Sequence, residues 1–275
     1  MFQFSARFKT LQREAGLSAQ LLGSGATILR RANHAQDGYY NQALFNLSTG
    51  LERAAKLALV LDYCVDTKGQ FPNDAELRKY GHDLERLFDV VETIRQKYGL
   101  SRDDYRVPDT DIHKAILRTL SEFAKASRYY NLDYLAKGGA PVLQDPIAAW
   151  FQRVGGPILA KHYPQQKRNR DRKMAAAAQN AIEQASFVLH TSELGAPIGS
   201  IADMFEHGAK TAIIQKWGQF YTLQVIRCTA KLISNLSCRA ESCSEDVPHL
   251  VEFFAIFLNE DRYLKGRKTW SPYQL

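Results

Sequence analysis

A chain of 275 residues with 45% apolar and 24% charged side chains can bury a substantial core without cross-links, which excludes extended disorder and the small disulfide-stapled scaffolds. No apolar stretch approaches the roughly 18 residues that a bilayer-spanning helix requires, so a membrane partner is not expected. The net charge of +7 favours a polyanionic partner such as RNA or DNA, through phosphate neutralisation, but the excess is mild.

At the N-terminus, Arg7, Lys9 and Arg13 fall where a secretory signal would need its apolar run, and secretion is not expected. The four cysteines, Cys64, Cys228, Cys238 and Cys243, are too few and too unevenly placed for a disulfide framework. They read as reduced thiols, and the expected location is the cytoplasm. Cys238 and Cys243 with His249 nearby are spaced more loosely than structural zinc ligands usually are, so neither a metal nor another cofactor is expected.

Four segments are read along the chain: an N-terminal helical segment at 1–37, a helical bundle at 38–140, a helix and basic linker at 141–173, and a C-terminal helical unit at 174–275. From Tyr39 to Cys64, the residues Ala43, Leu44, Leu47, Leu51, Ala54, Ala55 and Ala58 recur at steps of three and four, the stripe of an amphipathic helix. Gly69 can take the left-handed conformation that ends it. Pro72-Asn73-Asp74 opens a short helix, and Asp83 is placed to cap a stronger one carrying Leu84, Leu87, Phe88, Val91 and Ile94.

A helix beginning at Thr110 or Asp111 carries Ile112, Ile116, Leu117, Leu120 and Phe123 on one face and runs toward Arg128. Asp145-Pro146 is a cap followed by proline at the first helical position. After the basic run Lys161–Lys173, read as a hinge, the segment Met174–Leu189 favours helix. A long periodic segment from Ile201 to Leu236 follows, with Gly208 and Gly218 as candidate bends, and a final helix is read from about Pro248 to Leu258. No β pattern competes, and the fold class is all-α.

The segment from Tyr39 to Leu59, with Glu52 and Lys56, followed by Gly81-His82-Asp83-Leu84, resembles the core of the HEPN family over residues 38–136. The resemblance implies an antiparallel helical bundle, here extended by further C-terminal helices, and often a homodimer. It also implies a place in bacterial toxin–antitoxin, stress or phage-defence systems, where many such domains are metal-independent endoribonucleases. Their activity uses an Arg followed after four to six residues by a His. In such a pair the imidazole transfers protons and the guanidinium stabilises the phosphorane charge.

By position the arginine is Arg128, but no histidine follows; Asn131 and Asp133 stand in its place. A site of Arg128, Asn131 and Asp133 would therefore need His82 to reach across the bundle. The alternative is that His82 and Asp83 merely cap a helix. Arg106 and His113 match the spacing literally, but Pro108 lies between them and the match reads as chance. Lys167, Arg168, Arg170, Arg172 and Lys173 are candidates for contacting nucleic-acid phosphates, although such a run is usually a solvated linker face. Tyr263, Trp270 and Tyr273 can stack on RNA or pack back on the bundle.

Two functions follow. One is a HEPN-like protein acting on or sensing RNA or a nucleotide, extending to endoribonuclease activity. The other is a non-catalytic scaffold, such as an immunity protein, antitoxin or regulatory subunit, bound to a partner protein.

Overall fold

The computed structural model describes residues 4–137, 144–182 and 190–272, and 73% of these are helical. The helices are α1 (Ala6–Leu29), α2 (Asp37–Asp66), α3 (Asp74–Arg78), α4 (Leu84–Lys97), α5 (Asp111–Lys125), α6 (Tyr130–Ala136), α7 (Pro146–Trp150), α8 (Gly156–His162), α9 (Gln165–Ile182), α10 (Ile201–Glu241), α11 (Val251–Phe254) and α12 (Asp261–Gly266). A two-stranded antiparallel hairpin, β1 (His190–Thr191) and β2 (Pro197–Ile198), lies between α9 and α10. Two residues per strand are too few to show alternation, which is why the sequence gives no sign of it. No helix among the described residues is long and apolar enough to cross a membrane.

The apolar stripe read on α2 is buried throughout, and α2 lies at the centre, packed by α1, α4, α5 and α10. The α1–α2 pair is antiparallel and very close. A Cβ on Gly25 would lie 2.7 Å from Leu47 Cγ, and one on Gly50 would lie 3.0 Å from Leu22. Glycine on each helix thus receives leucine from the other, a closer approach than larger residues would permit. Arg53 clamps the same pair by donating two hydrogen bonds from Nη1 to the Glu14 carboxylate, at 2.6 and 2.7 Å. The expected stop of α2 is present, with Lys68 and Gly69 both at positive φ and Gly69 N–H donating to Cys64 O at 2.8 Å. Glycine is needed there, since a Cβ would meet the Cys243 carbonyl at 2.6 Å.

Asp83 caps α4 as expected, accepting from Arg86 N–H at 3.2 Å, and Asp145 caps α7 through Ile147 N–H at 2.8 Å. Two other expectations are corrected. The basic run is not a free linker, because from Gln165 it is the first half of α9, which packs along α10. Gly208 and Gly218 do not interrupt α10, which runs unbroken for 41 residues. Gly218 instead admits the Trp150 ring, whose Cζ2 would be 3.3 Å from an added Cβ. Between α7 and α8 the chain makes a π-helical turn at Phe151–Gly155, so α7, the turn and α8 form one deformed helix.

The C-terminal segment closes the fold. Trp270 is buried against Phe257 and Tyr263, its backbone N–H donates to Thr27 Oγ1 at 2.7 Å, and Gln219 donates to the carbonyls of Ala26 and Lys268 at 2.9 Å each. Trp270 therefore packs back on the bundle, while Tyr273 lies outside the described residues. Buried apolar residues from Leu11 to Trp270 form one contiguous core.

Gly23 lies under this closing segment, and a Cβ there would strike the Trp270 carbonyl and come within 2.8 Å of Pro272. Gly23→Ala should lower stability by about 1–3 kcal/mol through overpacking, despite a helix-propensity gain of about 1 kcal/mol. The check is a urea titration monitored by tryptophan fluorescence; an unchanged or raised midpoint contradicts this packing.

Candidate functional site

The sequence-predicted residues do not form one site. Arg128 and Asn131 share a pocket of about 190 Å³ with Asn41, Tyr129, Tyr130 and Asp145. They meet because Ser127–Tyr129 forms a 3-10 turn that leads directly into α6, putting both residues on adjacent turns. The Arg128 side chain is exposed, lies over the Phe45 ring at 5.8 Å and donates one hydrogen bond, from Nη2 to Ala124 O at 2.9 Å. Among the described residues no carboxylate pairs with it. Asp133 does not line the pocket, and its side chain has no hydrogen-bond or ion-pair partner among the described residues.

His82 does not reach Arg128. Its Nδ1 bonds the Glu52 carboxylate at 2.9 Å, where Lys56 Nζ also donates at 2.8 Å. Along α2, Glu52 lies seven residues beyond Phe45, roughly 10 Å at 1.5 Å per residue, so the imidazole and the guanidinium engage different parts of that helix. Glu52, Lys56 and His82 thus form one polar cluster and Arg128 belongs to another. The neighbouring Lys125–Asp83 ion pair, at 2.6 Å, ties the end of α5 to the start of α4. Burial tends to raise the Asp83 pKa, but the hydrogen bonds from Lys125, Arg86 N–H and Ser121 outweigh it and hold the carboxyl below its usual range.

Arg106 and His113 also serve separate ends. Arg106 pairs with Asp109 at 3.2 Å. His113 is buried, its ring nitrogens bonded to Thr110 Oγ1 at 2.7 Å and Gln224 Oε1 at 3.0 Å, with Tyr221 edge-on at 5.0 Å. Gln224 Nε2 donates to Asp261, so its Oε1 faces the imidazole and Nε2–H is the donor there. This is a satisfied core histidine.

Much of the basic run is committed locally. Arg168 donates to Tyr163 O at 2.7 Å and lies with Lys167 over the Tyr163 ring; Arg170 pairs with Asp171 at 3.6 Å and Arg172 with Glu206 at 3.8 Å. Lys173 is exposed.

The sequence offered no sign of a second cluster. His34 from the α1–α2 connection, Glu193 from the hairpin turn and His207 from the second turn of α10 converge, and their ligand-type atoms all lie within 4.8 Å of one another. Tyr40, in the first turn of α2, donates from its hydroxyl to Glu193 Oε1 at 2.9 Å, while His207 Nε2 bonds Oε2. His190 stands edge-on to His34 at 5.6 Å, and Phe151, carried by the π-helical turn, stacks on His207 at 5.5 Å.

The Glu193 side chain is 0% exposed. Burial raises its pKa, but hydrogen bonds from His207, its own backbone N–H and Tyr40 outweigh that and keep the carboxyl below its ordinary value. His34 is pushed down, chiefly by burial and also by the neighbouring His207 and His190, against an opposing pull from Glu193. Its Nδ1 is buried with no hydrogen-bond partner among the described residues. Glu193 and His207 are 14 residues apart and His34 and Tyr40 six, but about 150 residues separate the two groups, so no short spacing rule joins them.

In comparisons with known proteins, no family model matches the chain, and no curated protein and no solved structure matches it.

His34, His113 and His162 are all held below the ordinary histidine pKa, first by burial; His162, stacked on Trp217 and flanked by Lys161, Lys265 and Lys216, is held down to about 4. Protons therefore bind the unfolded chain more readily, and stability is full above an unfolded pKa of about 6.5 and lost as pH falls below it. Thermal melts should show the midpoint falling from pH 7 to pH 5, less steeply in His113→Gln. A midpoint independent of pH across that window would contradict these environments.

Proposed function

We propose that the chain is a non-catalytic phosphate-recognising helical protein of HEPN-like type, which binds single-stranded RNA through the pocket at Arg128 and Asn131. The observation that carries the reading is the state of Arg128: an exposed guanidinium without a carboxylate partner among the described residues, opening on a pocket lined by two amide side chains, Asn41 and Asn131. Arginine suits phosphate because its planar fork donates to two oxygens at once.

A volume of about 190 Å³ is below that of a typical small-molecule site and fits one backbone phosphate of a longer chain. Tyr129 and Tyr134, both exposed, offer faces on which adjacent bases can stack. Asp145 also lines the pocket, but its Oδ1 accepts from Ile147 N–H in capping α7. Binding rather than cleavage is favoured because the proton-transfer histidine is elsewhere: His82 is bonded to Glu52.

Fluorescence anisotropy with a short labelled oligoribonucleotide tests the reading. Affinity should fall steeply with salt, and Arg128→Ala should weaken it about tenfold or more while reducing the salt slope by about 0.7, the value of one single-strand phosphate contact. The RNA should remain intact, with or without His82→Ala. Salt-independent binding, unaltered affinity in Arg128→Ala, or RNA cleavage lost in His82→Ala would overturn the reading.

A further inference from the structure

The cluster around Glu193 has the composition of a ligand set rather than of a structural ion pair. A buried carboxylate needs hydrogen-bond donors, and Tyr40 and His207 supply two. His34 is then superfluous, yet it is held against the same group with a buried Nδ1 that bonds nothing among the described residues. A neutral imidazole carries one donor and one acceptor nitrogen, and leaving either buried without a partner is costly.

We propose that His34, Glu193 and His207 bind one divalent transition-metal ion of the zinc class, with two imidazole nitrogens and a carboxylate oxygen as protein ligands and Tyr40 as the outer partner that orients the carboxylate. This site is independent of the phosphate pocket. The donor atoms all lie within 4.8 Å of one another, so small side-chain movements, with His207 and Glu193 parting and His34 closing in, would place them at about 2.0–2.2 Å from one ion. Two nitrogens and one oxygen suit Zn²⁺ and its neighbours, not Ca²⁺ or Mg²⁺, which require more oxygens, nor Cu(I), which prefers sulfur.

Tyr40 engages Oε1 and leaves Oε2, which now takes the His207 Nε2 contact, to face the ion. This is the arrangement in which a second hydrogen bond fixes a ligating carboxylate. Phe151 stacked on one ring and His190 edge-on to the other limit how far the imidazoles can turn. The ion would join the α1–α2 connection, the hairpin and α10 at one buried carboxylate.

A second group, Cys238, Glu241 and His249, has comparable proximity, but Cys238 and His249 are exposed and His249 simply bonds Glu241 at 3.1 Å. It shows no buried unpartnered atom among the described residues and serves as the internal control.

The test is calorimetric titration of the full chain, stripped with a chelator, with Zn²⁺, together with zinc-edge X-ray absorption of the loaded wild type. One equivalent should bind with a rise in melting temperature, and the edge spectrum should show nitrogen and oxygen scatterers, two of them imidazole, and no sulfur. His34→Ala and Glu193→Gln should weaken binding at least about tenfold, since losing a ligand costs no less than losing an outer partner, while His249→Ala leaves it unchanged. The wild-type spectrum decides the matter even if a variant fails to fold. Absence of saturable uptake, a sulfur scatterer, or binding lost in His249→Ala but retained in His34→Ala would overturn the site.

Discussion

Between α1 and α2 there is no room for a side chain at two positions, Gly25 and Gly50, and the leucines opposite them fill the space. That contact fixes the register of the antiparallel pair, and the register carries the rest. It sets the α1–α2 connection beside the first turn of α2, where His34 and Tyr40 both reach Glu193. It also presents the other faces of α2 to α4, α5 and α10, so that Glu52 receives His82 and Phe45 receives Arg128. Because protein interiors close-pack, a slip in this pair would shift every one of those meetings.

The two candidate sites differ in what holds them. Arg128 and Asn131 lie on one short helical segment at the surface, and their shared pocket depends mainly on local structure. The Glu193 cluster depends on tertiary structure: a hairpin turn, the α1–α2 connection, α2 and α10 must all be in place before a buried carboxylate finds its donors. The π-helical turn at Phe151 belongs to the same construction, since it delivers the ring that covers His207; such turns recur where function requires a helix to depart from regular geometry.

This division also explains what could be read from the sequence. The α2 stripe, the Asp83 and Asp145 caps and the stop at Gly69 were legible because each is encoded within a few residues. The continuity of α10 was not, because whether Gly218 bends a helix or admits a neighbour depends on Trp150, nearly 70 residues away. Likewise, whether the basic run is a linker or a helix depends on its packing against α10. Arg128 with Asn131 could be paired by spacing alone, whereas the place of His82 was decided by which turn of α2 it meets, and the histidine cluster left no local trace at all.

Phosphate recognition is proposed for the Arg128 pocket and not for the basic half of α9, where Arg168, Arg170 and Arg172 already have partners within the protein. Hydrogen–deuterium exchange of the full chain with and without a single-stranded oligoribonucleotide separates the two. Protection confined to peptides spanning 127–132 and 37–41 is the predicted result; protection over 165–173 with no change around Arg128 would contradict it.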